Sequence, residues 1–206
     1  MQRSLHGDRG HPGIAAALHK LADATAQSGD LKTSMEMLEE SLRMQQSLHG
    51  PGDHLGIAIT LYKLGDLAVL MGDNNKGIEF FEHSLQMQRS LHGERAHPGI
   101  AVTLRKLGDV MAQTGDITEA MRFLIESERV YRCLYGDKAH PHVADVLHSL
   151  GTANQRAGDF DQAELFLEKS LQMKESLFGD KKHPSLRLTS RLLDQVRTLA
   201  QMLGAT

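Results

Sequence analysis

Histidine is the residue of this chain most suited to chemistry, because imidazole binds metals and exchanges protons near neutral pH. The sequence has 206 residues and 12 histidines. Eight of them recur every 43 residues in two columns: His6, His49 and His92, and then His11, His54, His97, His140 and His183. Structural zinc needs four ligands at about 2 Å, whereas stacked helices place neighbouring copies roughly 10 Å apart. We interpret both columns as helix caps and loop packing, and we expect no metal and no cofactor.

Cys133 is the only cysteine, so the chain forms no internal disulfide. That fits a reducing compartment, and we expect a cytoplasmic protein. Serine stands at the equivalent position of the other repeats, and no histidine or aspartate pattern accompanies the cysteine as a catalytic nucleophile would require. Phosphate-binding, nucleophile-elbow and zinc-protease motifs are absent from the sequence. We therefore predict that the chain is not an enzyme.

Lysine and aspartate recur on either side of a leucine. The three copies are Lys20 and Asp23, Lys63 and Asp66, and Lys106 and Asp109. The column before the lysines holds His19, Tyr62, Arg105 and His148, and Arg156 stands one turn after the aspartate position of its repeat. We expect the leucines between them, Leu21, Leu64 and Leu107, to lie in the core.

The elements that position these residues repeat with the same period of 43. The stretch "SLHGDRGHPGI" at 4–14 returns as "SLHGERAHPGI" at 90–100, and a Gly-Asp pair begins at Gly29, Gly72, Gly115 and Gly158. A fixed period of this length indicates a repeat array. Apolar residues at steps of three and four predict a helix from Pro12 to Gln27, and a second helix from Leu31 that ends at Gly50. Gly29 ends the first helix and Asp30 caps the second.

Small residues form a column in the first helix of each repeat: Ala22, Gly65, Gly108 and Gly151. Glycine inside a helix costs about 1 kcal/mol relative to alanine, so its recurrence requires a reason. Close approach of the two helices of a repeat supplies that reason.

Leu-x-x-Leu-Gly, then Gly-Asp, then a small residue followed four later by a large apolar one, resembles the tetratricopeptide pattern. The standard repeat has about 34 residues, and this one is longer at the end of its second helix and in the following loop. The layout "LHG…HPGIA…LxKLGD…GD" resembles long-repeat arrays of the kinesin light chain type. This resemblance implies an all-α, right-handed superhelical solenoid whose first helices line a concave groove.

The repeat phase predicts a single solenoid over 1–206. It comprises a remnant of a preceding helix and loop at 1–10, repeats at 11–53, 54–96, 97–139 and 140–182, and a closing helix at 183–206. Asp194 stands where the other first helices carry a small residue. A charge there would oppose a further packed helix, so we expect Asp194 to face water and the helix to close the array.

By the same resemblance, the recurring lysines and their neighbours face the groove. The predicted partner-binding residues are His19, Lys20, Asp23, Tyr62, Lys63, Asp66, Arg105, Lys106, Asp109, His148 and Arg156. One interpretation is a ladder of solvated ion pairs, each worth about 0–1 kcal/mol. The other is a cationic groove that accepts an acidic segment. The two are compatible, because paired charges can still contact a ligand.

We predict a scaffold that binds a segment of a partner protein, with an acidic segment as the favoured partner. Net charge is −3 and aromatic residues are 4%, which disfavours nucleic acid as a partner. No apolar run is long enough to span a membrane, so we expect no membrane association. The alternative is a structural, self-associating solenoid, in which the apolar face of Pro12 to Gln27 pairs with another copy.

Overall fold

The computed structural model describes residues 12–50, 52–93, 95–179 and 183–204 of the chain. This described part is all-α, with four helix pairs and a final helix, as predicted. The helices are α1 Pro12–Gln27, α2 Leu31–His49, α3 Leu55–Leu70, α4 Asn74–His92, α5 Pro98–Thr114, α6 Ile117–Tyr135, α7 Pro141–Ala157, α8 Phe160–Phe178 and α9 Pro184–Gly204. We call α1, α3, α5 and α7 the first helices. The predicted remnant at 1–10 lies outside the described residues.

The helices group into two compact units, residues 1–95 and residues 96–206. In the first unit, α1 packs on α2, α2 on α3, and α3 on α4. In the second unit, each helix from α5 to α8 packs on its successor, and α7 also contacts α5 and α9. The predicted single solenoid over 1–206 stays a prediction. None of the helices built from described residues is long and apolar enough to cross a membrane.

A glycine and an aspartate make the tight turn inside each helix pair. Gly115 has φ 99°, the left-handed conformation that glycine adopts without strain. Asp116 then caps α6, because its carboxylate accepts a hydrogen bond from the backbone N–H of Glu119. Equivalent carboxylate caps begin α2, α4 and α8 at Asp30, Asp73 and Asp159. The predicted Gly-Asp turn is confirmed.

The second histidine column caps the helices that follow the long loops. Nδ1 of His54 accepts a hydrogen bond from the Gly56 N–H, and His97, His140 and His183 make the same contact two residues onward. Each of three capping rings also stacks on a ring at the end of the preceding helix: His49 on His54, with centroids 3.5 Å apart, Tyr135 on His140 at 3.6 Å, and Phe178 on His183 at 3.9 Å. Capping and loop packing therefore explain these rings, as predicted.

The small-residue column is a close contact between paired helices. A Cβ atom added at Gly108 would lie 2.5 Å from Cγ of Leu124, and one added at Gly151 would lie 2.6 Å from Cγ of Leu167. A second contact joins the two helices of each pair farther along their length. A serine hydroxyl of the second helix donates a hydrogen bond to an alanine carbonyl of the first. The four copies are Ser41 to Ala15, Ser84 to Ala58, Ser127 to Ala101 and Ser170 to Ala144.

The leucine column is buried except at its first member. Leu64 and Leu107 are fully buried, and Leu64 packs in a cluster with Met35 and Leu38 of α2. The prediction that Leu21 is also core is wrong, because this side chain is 53% exposed. On α3, the helix α2 covers the face that carries Leu64. No described helix precedes α1 to cover Leu21 in the same way.

Candidate partner-binding surfaces on the first helices

In the first unit, His19 and Lys20 of α1 border an open cavity of about 360 Å³, which we call the first-unit pocket. Its other lining residues are Ala15, Ala16, Gln45, Leu48, His49, His54, Gly56 and Ile59. The lining is mainly apolar, and the stacked rings of His49 and His54 contribute to one side. Lys20 is exposed and supplies the positive charge of this pocket.

A neutral hydrogen-bond network lies beneath the first-unit pocket. Nε2 of His19 is 2.6 Å from Oγ1 of Thr60, and that oxygen is 3.0 Å from Oε1 of Gln45. The pKa of His19 is lowered, mainly by burial and further by the nearby Lys63 cation. The imidazole is therefore neutral at pH 7 and serves as a hydrogen-bonding group of the network.

The predicted charges of the first unit also form an ion pair between neighbouring first helices. Nζ of Lys63 on α3 lies 2.5 Å from Oδ1 of Asp23 on α1. This geometry matches the ladder interpretation for that step. Tyr62 and Asp66 are half-buried on α3 and do not line the pocket; the Tyr62 ring lies 5.6 Å from that of Phe81.

In the second unit, four predicted residues from α5 and α7 converge. They line an open cavity of about 440 Å³, the second-unit pocket: Arg105, Asp109, His148 and Arg156. The same pocket is lined by Ala112, Gln113, Asp145, Ser149, Thr152, Lys174, Ser185 and Leu188. Lys106 is half-buried on α5 and is not part of this lining. The repeat columns of the sequence therefore predicted four of the residues that line this pocket.

Two charge pairs give the second-unit pocket its polar character. Arg105 donates from Nη1 to Oδ2 of Asp109 at 2.8 Å, one turn along the same helix. Burial raises the pKa of Asp109 in spite of Arg105 and a hydrogen bond from Ser149. Nζ of Lys174 lies 3.4 Å from Oδ1 of Asp145, and the Lys174 side chain is only 3% exposed.

A buried network joins this pocket to α9. Lys174 donates to Oγ1 of Thr189 at 3.0 Å, and the same oxygen lies 3.1 Å from Nδ1 of His148. Burial lowers the pKa of Lys174, and the Asp145 carboxylate opposes that change. Burial, together with the Lys174 cation, lowers the pKa of His148 to about 4. His148 is therefore neutral at physiological pH.

Sequence reasoning missed Asp145 and Lys174. The available signal was a repeat column that holds Gln45, Gln88, Tyr131 and Lys174, in which only the last residue is charged. A lysine at a buried column position requires an anionic partner, because an unpaired buried charge is strongly unfavourable. Asp145 occupies the column of Ala16 and Ile59 and supplies that partner.

The described residues contain no group of three or more histidine, cysteine, aspartate or glutamate side chains arranged to hold a metal ion. Cys133 is an exposed free thiol on α6. The surfaces on the first helices therefore offer hydrogen bonds, charges and apolar contacts.

Comparison with solved structures shows the same fold in repeat proteins of the kinesin light chain type. A Podosopora anserina protein assigned to the kinesin light chains, with nearly identical TPR-like repeats, is 20% identical at a TM-score of 0.74, covering 95% of this chain and 89% of that one. A substituted variant of it is 19% identical at a TM-score of 0.71, covering 95% and 99%. BtubC (BKLC) from P. vanneervenii is 17% identical at a TM-score of 0.75, covering 89% of this chain and 72% of that one.

No curated protein matches the chain. Two profiles of the tetratricopeptide repeat do match: one over residues 13–90 and again over 56–132, and another over 143–185. Together they cover well over half of the sequence. With the paired helices, the Gly-Asp turns and the small-residue column described above, these matches show that the chain belongs to the tetratricopeptide repeat family.

Proposed function

We propose that the chain binds a segment of a partner protein on the surfaces of its first helices, and that this segment carries acidic residues. Tetratricopeptide repeats are generally protein–protein interaction modules, and the family is generally non-catalytic. The coarse function, protein binding by a scaffold, follows from the family. The surface that binds and the chemistry of the partner are our proposal.

The observation that carries the proposal is the convergence of four predicted residues on the second-unit pocket. Arg105 is partly exposed and its Nε is buried without a hydrogen-bond acceptor among the described atoms. Arg156 is an exposed cation on the same lining. A carboxylate bound beside Arg105 and Arg156 would accept charge-assisted hydrogen bonds from these guanidinium groups, and such bonds are roughly twice as strong as neutral ones.

Lys20 supports the same proposal independently. It is an exposed lysine at the edge of the first-unit pocket, so an acidic residue of a bound segment can approach it from water without entering the apolar lining. Lys63 is different, because Asp23 already neutralises it. We therefore assign direct partner contact to Lys20, and a positioning role to the Lys63–Asp23 pair.

The experiment begins with peptides selected from a displayed random library on the full chain. Arg156→Glu should weaken their binding at least about tenfold, because it places a like charge against the acidic segment, and rising salt should weaken binding to the wild-type chain. Arg187→Glu is the matched control, an exposed arginine on α9 outside the second-unit pocket. Unchanged affinity in both Arg156→Glu and Lys20→Glu would contradict the proposal.

Self-association is a second candidate function, favoured by exposed apolar side chains on α1 and α9. Leu21 of α1 is 53% exposed and Met202 of α9 is 64% exposed. Pairing of such faces between copies would bury them. Light scattering at several protein concentrations separates the candidates: a constant mass favours partner binding alone, and a rising mass favours assembly.

A further inference from the structure

The two pockets occupy equivalent positions three repeats apart and share one framework. His19 and Thr60 of the first unit correspond to His148 and Thr189 of the second, and both pairs are in hydrogen-bond contact. The residue that meets the threonine from the second helix is Gln45 in one unit and Lys174 in the other. Equivalent aliphatic side chains, Ile59 and Leu188, line the two pockets.

The residues that differ within this common framework change the chemistry of the pocket. Ala16 and Gln45 are neutral, whereas their counterparts Asp145 and Lys174 form an ion pair. The first-unit pocket also has apolar lining from Ala15 and Leu48, whereas the second-unit pocket is also lined by Arg105 and Asp109 of α5 and by Arg156 of α7.

We infer that the two pockets select different side chains of bound protein segments: the first-unit pocket takes an uncharged apolar side chain, and the second-unit pocket takes a carboxylate. This inference rests on the proposed function and adds the specificity of each pocket. Within it, Ala16 and Gln45 on one side, and Asp145 and Lys174 on the other, are specificity-determining residues.

Desolvation explains why an apolar side chain fits only the first-unit pocket. Its exposed lining is mainly apolar, and the polar atoms of His19, Thr60 and Gln45 already contact one another. Apolar contact there removes hydrocarbon surface from water without stripping a charge. The same side chain in the second-unit pocket would displace water from Asp145, Arg105 and Arg156 and return no hydrogen bond, which is unfavourable.

Electrostatics explains the reverse preference for a carboxylate. Two arginines line the second-unit pocket, the partly exposed Arg105 and the exposed Arg156. In the first-unit pocket, Lys20 is the single lysine or arginine among the described lining residues, and burial and the Lys63 cation lower the pKa of His19. A carboxylate entering that pocket would lose water against a mainly apolar lining.

Two small probes test the selection: N-acetyl-leucine methylamide and N-acetyl-aspartate methylamide, titrated into the full chain. The methyl NMR signals of Ile59 and Leu188 report on the two pockets separately, because each side chain lines one of them. We expect the leucine probe to shift the Ile59 signal and the aspartate probe to shift the Leu188 signals. Equal responses of both reporters to both probes, or no response of either, would overturn the inference.

Exchange variants give a sharper comparison, because the repeat supplies the replacement residues. Asp145→Ala with Lys174→Gln removes both members of an ion pair together, which is often neutral for stability, and should let the leucine probe shift Leu188. Ala16→Asp with Gln45→Lys should abolish the leucine response at Ile59. Arg156→Gln, at an exposed site, should weaken the aspartate response at Leu188 about tenfold and keeps the test decisive if an exchange variant fails to fold. Unchanged probe responses in these variants would also overturn the inference.

Failure of this inference can be distinguished from failure of the proposed function. If the library-selected peptides bind and Arg156→Glu weakens them, while the probes do not discriminate between the pockets, the specificity inference fails and protein binding on the first helices stands. If Arg156→Glu and Lys20→Glu leave peptide binding unchanged, the proposed function fails whatever the probes show.

Discussion

Single glycines decide how closely the two helices of a repeat approach. Gly108→Ala places a Cβ atom 2.5 Å from Cγ of Leu124 and 3.0 Å from the Ala120 carbonyl oxygen. Leu124 is fully buried, so it cannot move aside into solvent. Overpacking of this kind costs about 1–3 kcal/mol, and it should outweigh the gain of about 1 kcal/mol from alanine in a helix. Chemical denaturation should show a net loss.

Gly52→Ala is the matched control, since a Cβ atom there has nothing within 4 Å. Its free energy of unfolding should stay within about 0.5 kcal/mol of the wild-type value, as is usual for surface substitutions. A wild-type midpoint for Gly108→Ala would show that the column is not a close contact.

A second residue-scale prediction concerns the pH dependence of stability. The pKa of His148 falls to about 4 on folding, from an ordinary value of 6.5. Between these values the unfolded chain binds more protons than the folded one, so stability from this group is complete above pH 6.5 and declines as the pH falls toward 4. His148→Gln should reduce that decline between about pH 7.5 and about pH 5, measured by urea denaturation at both values.

The control for His148 is His83→Gln, which removes an exposed histidine of α4. It should leave the pH dependence as in the wild type. His19, whose pKa is also lowered by burial and Lys63, contributes in the same direction, so the His148 variant should retain part of the slope. An identical slope in wild type and His148→Gln would contradict the burial of a neutral imidazole.

At the scale of an element, the contacts of the closing helix α9 indicate which forces hold it against α8. Leu193 and Val196 are buried against α8. Arg197 donates to Glu164 at 2.7 Å and to Glu168 at 2.5 Å, but all three side chains are largely exposed. Leu193→Ala should cost about 2–5 kcal/mol, whereas Arg197→Gln should cost less than about 1 kcal/mol. Thermal and urea denaturation of both variants measure the difference, and a larger loss for Arg197→Gln would contradict this account.

Helix bounds were predictable because each boundary has a local chemical cause. Asp116 and His97 cap helices through their own side chains, and Gly115 adopts its left-handed conformation regardless of the distant structure. The predicted exposure of Asp194 is confirmed as well, and for a related reason. A charged residue in a column where the other repeats carry small residues predicts solvent exposure from the sequence alone.

The errors arose where a residue depends on its neighbours in space. Leu21 follows the pattern of Leu64, which packs with Met35 and Leu38 of the preceding helix α2, but no described helix precedes α1. Lys174 and Asp145 meet across two helices, although they stand far apart in sequence. Their pairing can be seen only in the packed structure. The sequence marked the position of Lys174 alone, because this residue is the charged member of the column that begins with Gln45.

At the scale of the whole molecule, repetition supplies the same positions many times, and single substitutions make each copy different. The Ser-to-Ala contact recurs four times with almost no change, from Ser41 to Ser170. The pocket residues vary instead, from neutral Gln45 to charged Lys174. The repeated framework stabilises the fold, and we propose that the variable pocket residues recognise partners.

Site-specific photo-crosslinking tests the central claim, that partner segments bind on the first helices. A library-selected peptide carrying a benzophenone side chain is irradiated with the full chain, and the modified residues are identified by peptide mass spectrometry. We expect adducts on the first helices, at or beside Lys20 or Arg156, and we expect unlabelled peptide to remove them by competition. Adducts confined to exposed apolar residues of the second helices, such as Ile125 and Leu165, would contradict it.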